Sequence, residues 1–174
     1  MFNERNKPLN RLCDEITLNR ISTKDYSSFI QRFAKKKWGE PLSSACIDTM
    51  VDCTKRHPYY MNALLRSLFL CTRKPSANSV LSSWQELAQK KRSDLLAETK
   101  PLNMLHKKLL VAIANGINTE LTGKTFLAKA DASSASVVRG LDYLVCEDFI
   151  EKQDKCYTLI DPLLETVIKQ LQIL

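Results

Sequence analysis

The chain has 174 residues, 44% of them hydrophobic and 26% charged, with only four glycines and six prolines; this composition argues against a loop-rich or disordered chain. No apolar run approaches the roughly 20 residues that a membrane span needs. Net charge is +7 but uneven: 18 of the 26 Lys and Arg and 10 of the 19 Asp and Glu precede Leu102, leaving +8 on the first 101 residues and −1 on the remainder.

Residues 1–20 lack helical periodicity and have no signal-peptide apolar core. Pro8 stops a helix, and Glu15-Ile16-Thr17-Leu18 is predicted as a short strand with no neighbouring strand to pair with. A helix is expected from Ser22, where Ser22-x-x-Asp25 is a capping box with a shorter acid than usual. Tyr26, Phe29, Ile30, Phe33, Ala34 and Trp38 recur at the spacing of one buried face, and Gly39 ends the helix. Pro41 suits the first turn of a second helix burying Leu42, Ala45, Cys46, Met50 and Cys53. A third helix starts at Pro58 with Tyr60, Leu64, Leu65 and Leu68 inward, and Lys74-Pro75-Ser76 interrupts it. A fourth runs from about Ser79, with Val80, Trp84, Leu87 and Ala88 inward and Lys90-Lys91-Arg92 near its end.

The pattern changes after Lys100-Pro101. A helix is predicted from about Leu102 to Asn115, ending at Gly116, and a shorter one follows Thr122 as N-cap. Asp131-Ala132-Ser133 makes a turn into a third helix over residues 134–147, with Val138, Leu141, Leu144 and Val145 at core spacing. Phe149-Ile150-Glu151-Lys152 and Cys156-Tyr157-Thr158-Leu159 flank a polar turn and read as a hairpin. Asp161-Pro162 then opens a last helix with Leu163, Leu164, Val167, Ile168 and Leu171 inward. The fold class is therefore mainly α: a four-helix bundle over residues 21–100, then a winged helix-turn-helix domain with a small β-hairpin over residues 101–174.

The six cysteines contain no Cys-x-x-Cys pair, and two histidines are too few for zinc-finger spacing. Reduced thiols and a cytoplasmic location are expected. Thr122-Gly123-Lys124-Thr125 ends like a phosphate-binding loop, but the second glycine such a loop requires would stand at position 118, which is Asn118. No catalytic grouping and no metal site is signalled.

In a DNA-binding winged helix the third helix enters the major groove. Its outward residues here are predicted as Ser134, Ser136, Val137, Arg139 and Tyr143, with Lys152 and Lys155 in the wing; Arg139 suits guanine and the lysines suit phosphates. Asp142, Glu147, Asp148, Glu151 and Asp154 lie beside them, so the electrostatic attraction for DNA is small. The tracts Lys35-Lys36-Lys37 and Lys90-Lys91-Arg92 read as solvated helix ends, or as contacts to an acidic partner. Arg56-His57-Pro58-Tyr59-Tyr60 places basic and aromatic groups at a helix start, suited either to a planar or anionic ligand or to anchoring the bundle.

Four short helices with His57-Pro58 at the third, then a winged helix closing on Tyr157-Thr158-Leu159-Ile160-Asp161-Pro162, resemble the C-terminal half of an archaeal-type P-loop ATPase, related to the STAND and AAA+ families. Met1-Phe2-Asn3-Glu4-Arg5-Asn6-Lys7-Pro8-Leu9 and Ile16-Thr17-Leu18 resemble the last stretch of that family's nucleotide domain, which accounts for the unpaired strand; residues 1–20 are that remnant or an extended tail. The resemblance implies that residues 21–100 are the lid and that His57 and Pro58, at the family's Gly-x-Pro lid motif but without a clear glycine, face adenine or the nucleotide phosphates. Neither Walker A nor Walker B is present, so the resemblance implies a non-catalytic portion that binds no cofactor alone. ATP or ADP with Mg would be held by a P-loop nucleotide-binding domain, the missing partner. Such a portion couples nucleotide state to protein or nucleic-acid contacts. Two other functions are compatible with the residues: a stand-alone DNA-binding transcription regulator and a protein-interaction adaptor.

Overall fold

The computed structural model describes residues 20–171; the strand expected at residues 15–18 and the nucleotide-domain remnant assigned to residues 1–20 lie outside them, apart from Arg20. The described residues form eight α-helices and one antiparallel hairpin. The bundle comprises α1 (Thr23–Trp38), α2 (Ser44–Thr54), α3 (Pro58–Leu70) and α4 (Ala77–Glu98). The second half comprises α5 (Met104–Ala114), α6 (Lys124–Ala130), α7 (Ser134–Cys146), β1 (Ile150–Gln153), β2 (Cys156–Leu159) and α8 (Pro162–Leu171).

Local chemistry sets most helix ends. The Ser22 hydroxyl accepts from the Asp25 N–H at 3.1 Å and donates to the Asp25 carboxylate at 2.6 Å. Ser43, Ser76, Asn103 and Ser133 cap α2, α4, α5 and α7 in the same way. Gly39 and Gly116 take φ values of 77° and 87° past α1 and α5, a left-handed conformation suited to glycine.

Several expected boundaries and faces shift. Pro41 lies before α2, because Leu42 is drawn into the core and Ser43 supplies the cap. The Gln31 amide holds Leu42 there, donating to its carbonyl at 2.9 Å and accepting from its N–H at 2.8 Å. Ala45 is exposed and Ile47 takes the buried position. Helix α6 is capped at Gly123, without a side-chain bond, instead of at Thr122. Helix α4 runs on to Glu98, so Lys90-Lys91-Arg92 sits in mid-helix and gains nothing from the helix dipole. Phe29 and Phe33 are 46% and 41% exposed, and Leu171 is exposed as well.

In α7 the buried face is Val137, Gly140, Leu141 and Leu144, while Val138 and Val145 face outward. Gly140 lies on this buried face, where a Cβ would stand 2.9 Å from Leu109 Cδ1, so α5 packs close against the glycine. The hairpin pairs Ile150 with Leu159 and Gln153 with Cys156 across Asp154-Lys155.

The two halves meet along α8, which packs against α2 and α4 on one side and against α5 and β2 on the other. Core residues from both halves join in one hydrophobic cluster, and the chain passes between them at residues 99–103. Polar bonds cross the same seam. The Trp84 indole N–H donates to Thr166 Oγ1 at 2.9 Å, and the Arg20 guanidinium reaches Glu151 at 3.0 Å and the Lys55 carbonyl at 2.9 Å. Glu165, nearly buried, pairs with Lys55 and with Lys169 at 2.7 Å, as a carboxylate in such surroundings must. The Tyr60 hydroxyl donates to Asp161, whose other oxygen accepts from the Leu163 and Leu164 N–H groups at 2.7 and 2.9 Å.

Asp161 therefore caps α8 and ties it to α3 in one side chain. Asp161→Ala is expected to cost about 2 kcal/mol, combining a lost N-cap with a lost charged hydrogen bond. Thermal unfolding should show Tm lower by about 4–8 °C; an unchanged Tm would show that neither bond contributes.

Candidate functional site

The turn from α2 to α3 is built from unusual backbone. Lys55 and Arg56 adopt φ values of 47° and 60°, consecutive left-handed residues without glycine. The His57 N–H closes the turn on the Thr54 carbonyl at 2.8 Å. His57 itself is extended, the conformation favoured before proline, and Pro58 starts α3 where its missing N–H costs nothing. Arg56 adopts the left-handed backbone that glycine favours. This is the feature that reading residue types alone does not show.

The turn directs side chains toward the seam. Lys55 reaches Glu165 on α8. The His57 ring rests against Tyr60, centroids 5.1 Å apart, and its buried Nδ1 has no hydrogen-bond partner. His57 lines a cleft of about 490 Å³ between the halves, together with Tyr143 and the carboxylates of Glu98, Glu147, Asp148 and Asp161. A histidine among four acids is poorly placed for phosphate and suits a neutral ring or a cation. Pro58 and Tyr59 face outward, Tyr59 being 60% exposed.

The residues predicted to meet nucleic acid or a partner divide into groups. Ser134 and Arg139 are exposed on α7. Ser136 is engaged with the cap, its hydroxyl 2.9 Å from that of Ser133. Val137, expected outward, is fully buried. Tyr143 stacks on His106 at 4.5 Å and 11° and faces the acidic cleft; burial lowers the His106 pKa. Lys152 lies over the Tyr157 ring at 5.4 Å, and Lys155 is exposed in the hairpin turn. Arg139 is the one cation of α7, with Asp142 three residues away. Lys124 opens α6, a helix of seven residues, and no phosphate-cradling loop forms there.

Among the described residues no cluster of His, Cys, Asp or Glu has metal-binding geometry, and five cysteines are free. None of the helices there is long and apolar enough to cross a membrane.

The second half thus consists of three helices, a turn between the second and third, and an antiparallel hairpin closing on α8. Residues 95–170 match the family described as a probable winged helix domain. The second half is a winged-helix domain. The whole arrangement is also similar to a Walker-type ATPase of Pyrococcus abyssi, with a TM-score of 0.61 at 18% sequence identity. That similarity covers 84% of this chain and so includes the bundle, but the chain spans only 41% of the ATPase's length. At this identity it shows a shared fold. No curated protein matches the sequence.

Two expectations follow from the turn and the seam. Arg56→Gly removes a left-handed non-glycine residue, partly offset by the greater freedom of the unfolded chain, and should stabilise by about 0.5–1 kcal/mol. A fall in Tm would show that the Arg56 side chain makes a contact worth more than this strain. Burial first, then the hydrogen bond and charge of Asp161, push the Tyr60 phenol far above its ordinary range. The unfolded chain releases this proton near pH 10 while the native state keeps it. The stabilisation is therefore full below that pH and is lost as pH rises further. Denaturant titrations from about pH 9 to 11.5 should show stability falling more steeply in the wild type than in Tyr60→Phe. Parallel curves would show that the phenol ionises equally in both states.

Proposed function

We propose that this chain is the non-catalytic lid and winged-helix portion of a P-loop ATPase, coupling nucleotide state to contacts with a protein partner. The observation that carries the reading is the extent of the structural similarity: bundle and winged helix match together, and more than half of the Walker-type ATPase lies beyond the match. The partner implied is a nucleotide-binding domain supplying Walker A, Walker B and the ATP or ADP with Mg.

The residues here do not fit the phosphate end of a nucleotide, because acids line the cleft beside His57 and no phosphate cradle is formed. Adenine suits His57 and Pro58 better, being neutral and planar. Shared packing on α8 supports movement of lid and winged helix as one body when nucleotide biases the position of the lid. For the winged helix, a protein partner is favoured over DNA. Arg139 is balanced by Asp142, and Ser136 is committed to a cap; Ser134, Arg139, Tyr143, Lys152 and Lys155 remain the contacts to examine.

The test is to read the coding DNA in frame upstream of Met1 and in neighbouring genes, then to assay hydrolysis. A glycine-rich phosphate loop followed by an apolar strand ending in acid is expected. ATP hydrolysis should require that domain, with none from the present chain. Turnover by this chain alone, or an upstream stop codon with no such neighbour, would overturn the proposal.

A further inference from the structure

The bundle carries a groove that neither the winged helix nor the α2–α3 turn uses. It runs between α1 and α3, encloses about 290 Å³, and is floored by Phe29, Ile30, Phe33, Leu65 and Phe69, with Asn62 and Arg66 at its rim. Among the described residues Phe29 and Phe33 are two of the most exposed aromatic side chains, and they lie one helical turn apart. Their rings are 4.7 Å apart. Apolar surface of this kind beside polar residues marks an interaction site.

Charge around the groove has one sign. Helix α3 contains no carboxylate, and α1 contains one, Asp25, which is bonded to Ser22 at the far N-terminal end. Against these stand Arg32, Lys35, Lys36, Lys37 and Arg66, all exposed. Lys37 leans over the Trp38 and Phe69 rings at 5.3 and 6.0 Å, at the end of the groove. A floor of apolar groups with a cationic rim is complementary to a helix bearing apolar residues on one face and acids beside them.

A single-stranded nucleic acid would also be drawn to cations and aromatics. Here the Arg32 guanidinium covers both exposed rings, 5.8 Å from the Phe29 centroid and 5.5 Å from that of Phe33. A stacking base must displace it, whereas a carboxylate can pair with it where it stands. The floor, moreover, is a cleft between parallel rows of side chains at helical spacing (29, 33 and 65, 69), which suits interdigitating apolar side chains.

We propose that the α1–α3 groove docks an acidic amphipathic helix of a partner protein, its apolar face against Phe29, Phe33 and Phe69 and its carboxylates against Arg32 and Arg66. This does not rest on the ATPase reading, since it concerns a different face of the bundle.

The experiment uses the whole chain and a labelled helical peptide of about 18 residues with leucines at i, i+3, i+4 and i+7 and glutamates flanking them. A shuffled peptide of the same composition and an oligothymidylate of about 20 nucleotides serve as comparisons. Fluorescence anisotropy should give saturable binding with Kd of about 10–100 µM, at least about tenfold weaker for the shuffled peptide, and weaker with added salt. Phe33→Ser and Arg66→Glu should each weaken it by about fivefold or more. Arg66→Glu should leave Tm unchanged, and Phe33→Ser, whose ring is only partly exposed, should lower it by no more than about 4 °C. Equal binding of the shuffled peptide, no saturation below about 1 mM, or tighter binding of the oligonucleotide lost on the same substitutions would overturn the proposal.

Discussion

One short helix holds the molecule together. Helix α8 has ten residues, six of them buried, and it serves as core for the bundle and the winged helix at once. Such a helix has almost no face left for solvent, so its one early acid, Glu165, is nearly enclosed and needs cations on both sides. Lys169 supplies one from the next turn. Lys55 supplies the other, and it does so from a residue in left-handed backbone. The tight α2–α3 turn is thus bound up with the charge balance of the seam, and His57 and Pro58 take their positions from it.

Much of this was legible from residue types. The Ser22 capping box, the glycines past α1 and α5, and the polar turn of the hairpin act within a few residues, so the helix order and the winged-helix class could be read directly. Which way a helix turns depends on its neighbours. Helix α7 has apolar residues around much of its circumference, including Ala135, Val137, Val138, Leu141, Leu144 and Val145, so periodicity leaves two adjacent faces nearly equivalent. Gly140 lies on the face that packs closely against α5, and a glycine inside an otherwise apolar helix is the signal to weigh. Phe29 and Phe33 failed in the opposite sense: their spacing is that of a core face, yet no element of the described chain covers them.

The candidate site was legible only in part. His57-Pro58 stands out in the sequence because histidine before proline at a helix start is uncommon chemistry, but its surroundings come from residues up to about a hundred positions away. Glu98 at the end of α4, Glu147 and Asp148 in the turn after α7, and Asp161 before α8 gather beside His57 when the halves close on each other. Counting charge along the chain places the basic excess in the first half; folding adds that Glu147, Asp148 and Asp161 of the second half join Glu98 at the junction. The molecule consequently carries an acidic seam and a basic, aromatic-lined groove on separate surfaces, which suit opposite classes of ligand.

Helix α4 gives this arrangement a mechanical side. Its 22 residues make it the longest element of the described chain, a rod of about 33 Å at the usual rise per residue. It packs against α2 and α3 as well as α8, so it is braced along its length. A rod braced in this way turns angle into distance: tilting it by about 10° at one end carries the other through about 6 Å. A small rotation of the bundle and winged helix together would therefore arrive at the far end of α4 as a displacement of several ångström, with the bonds across the seam kept.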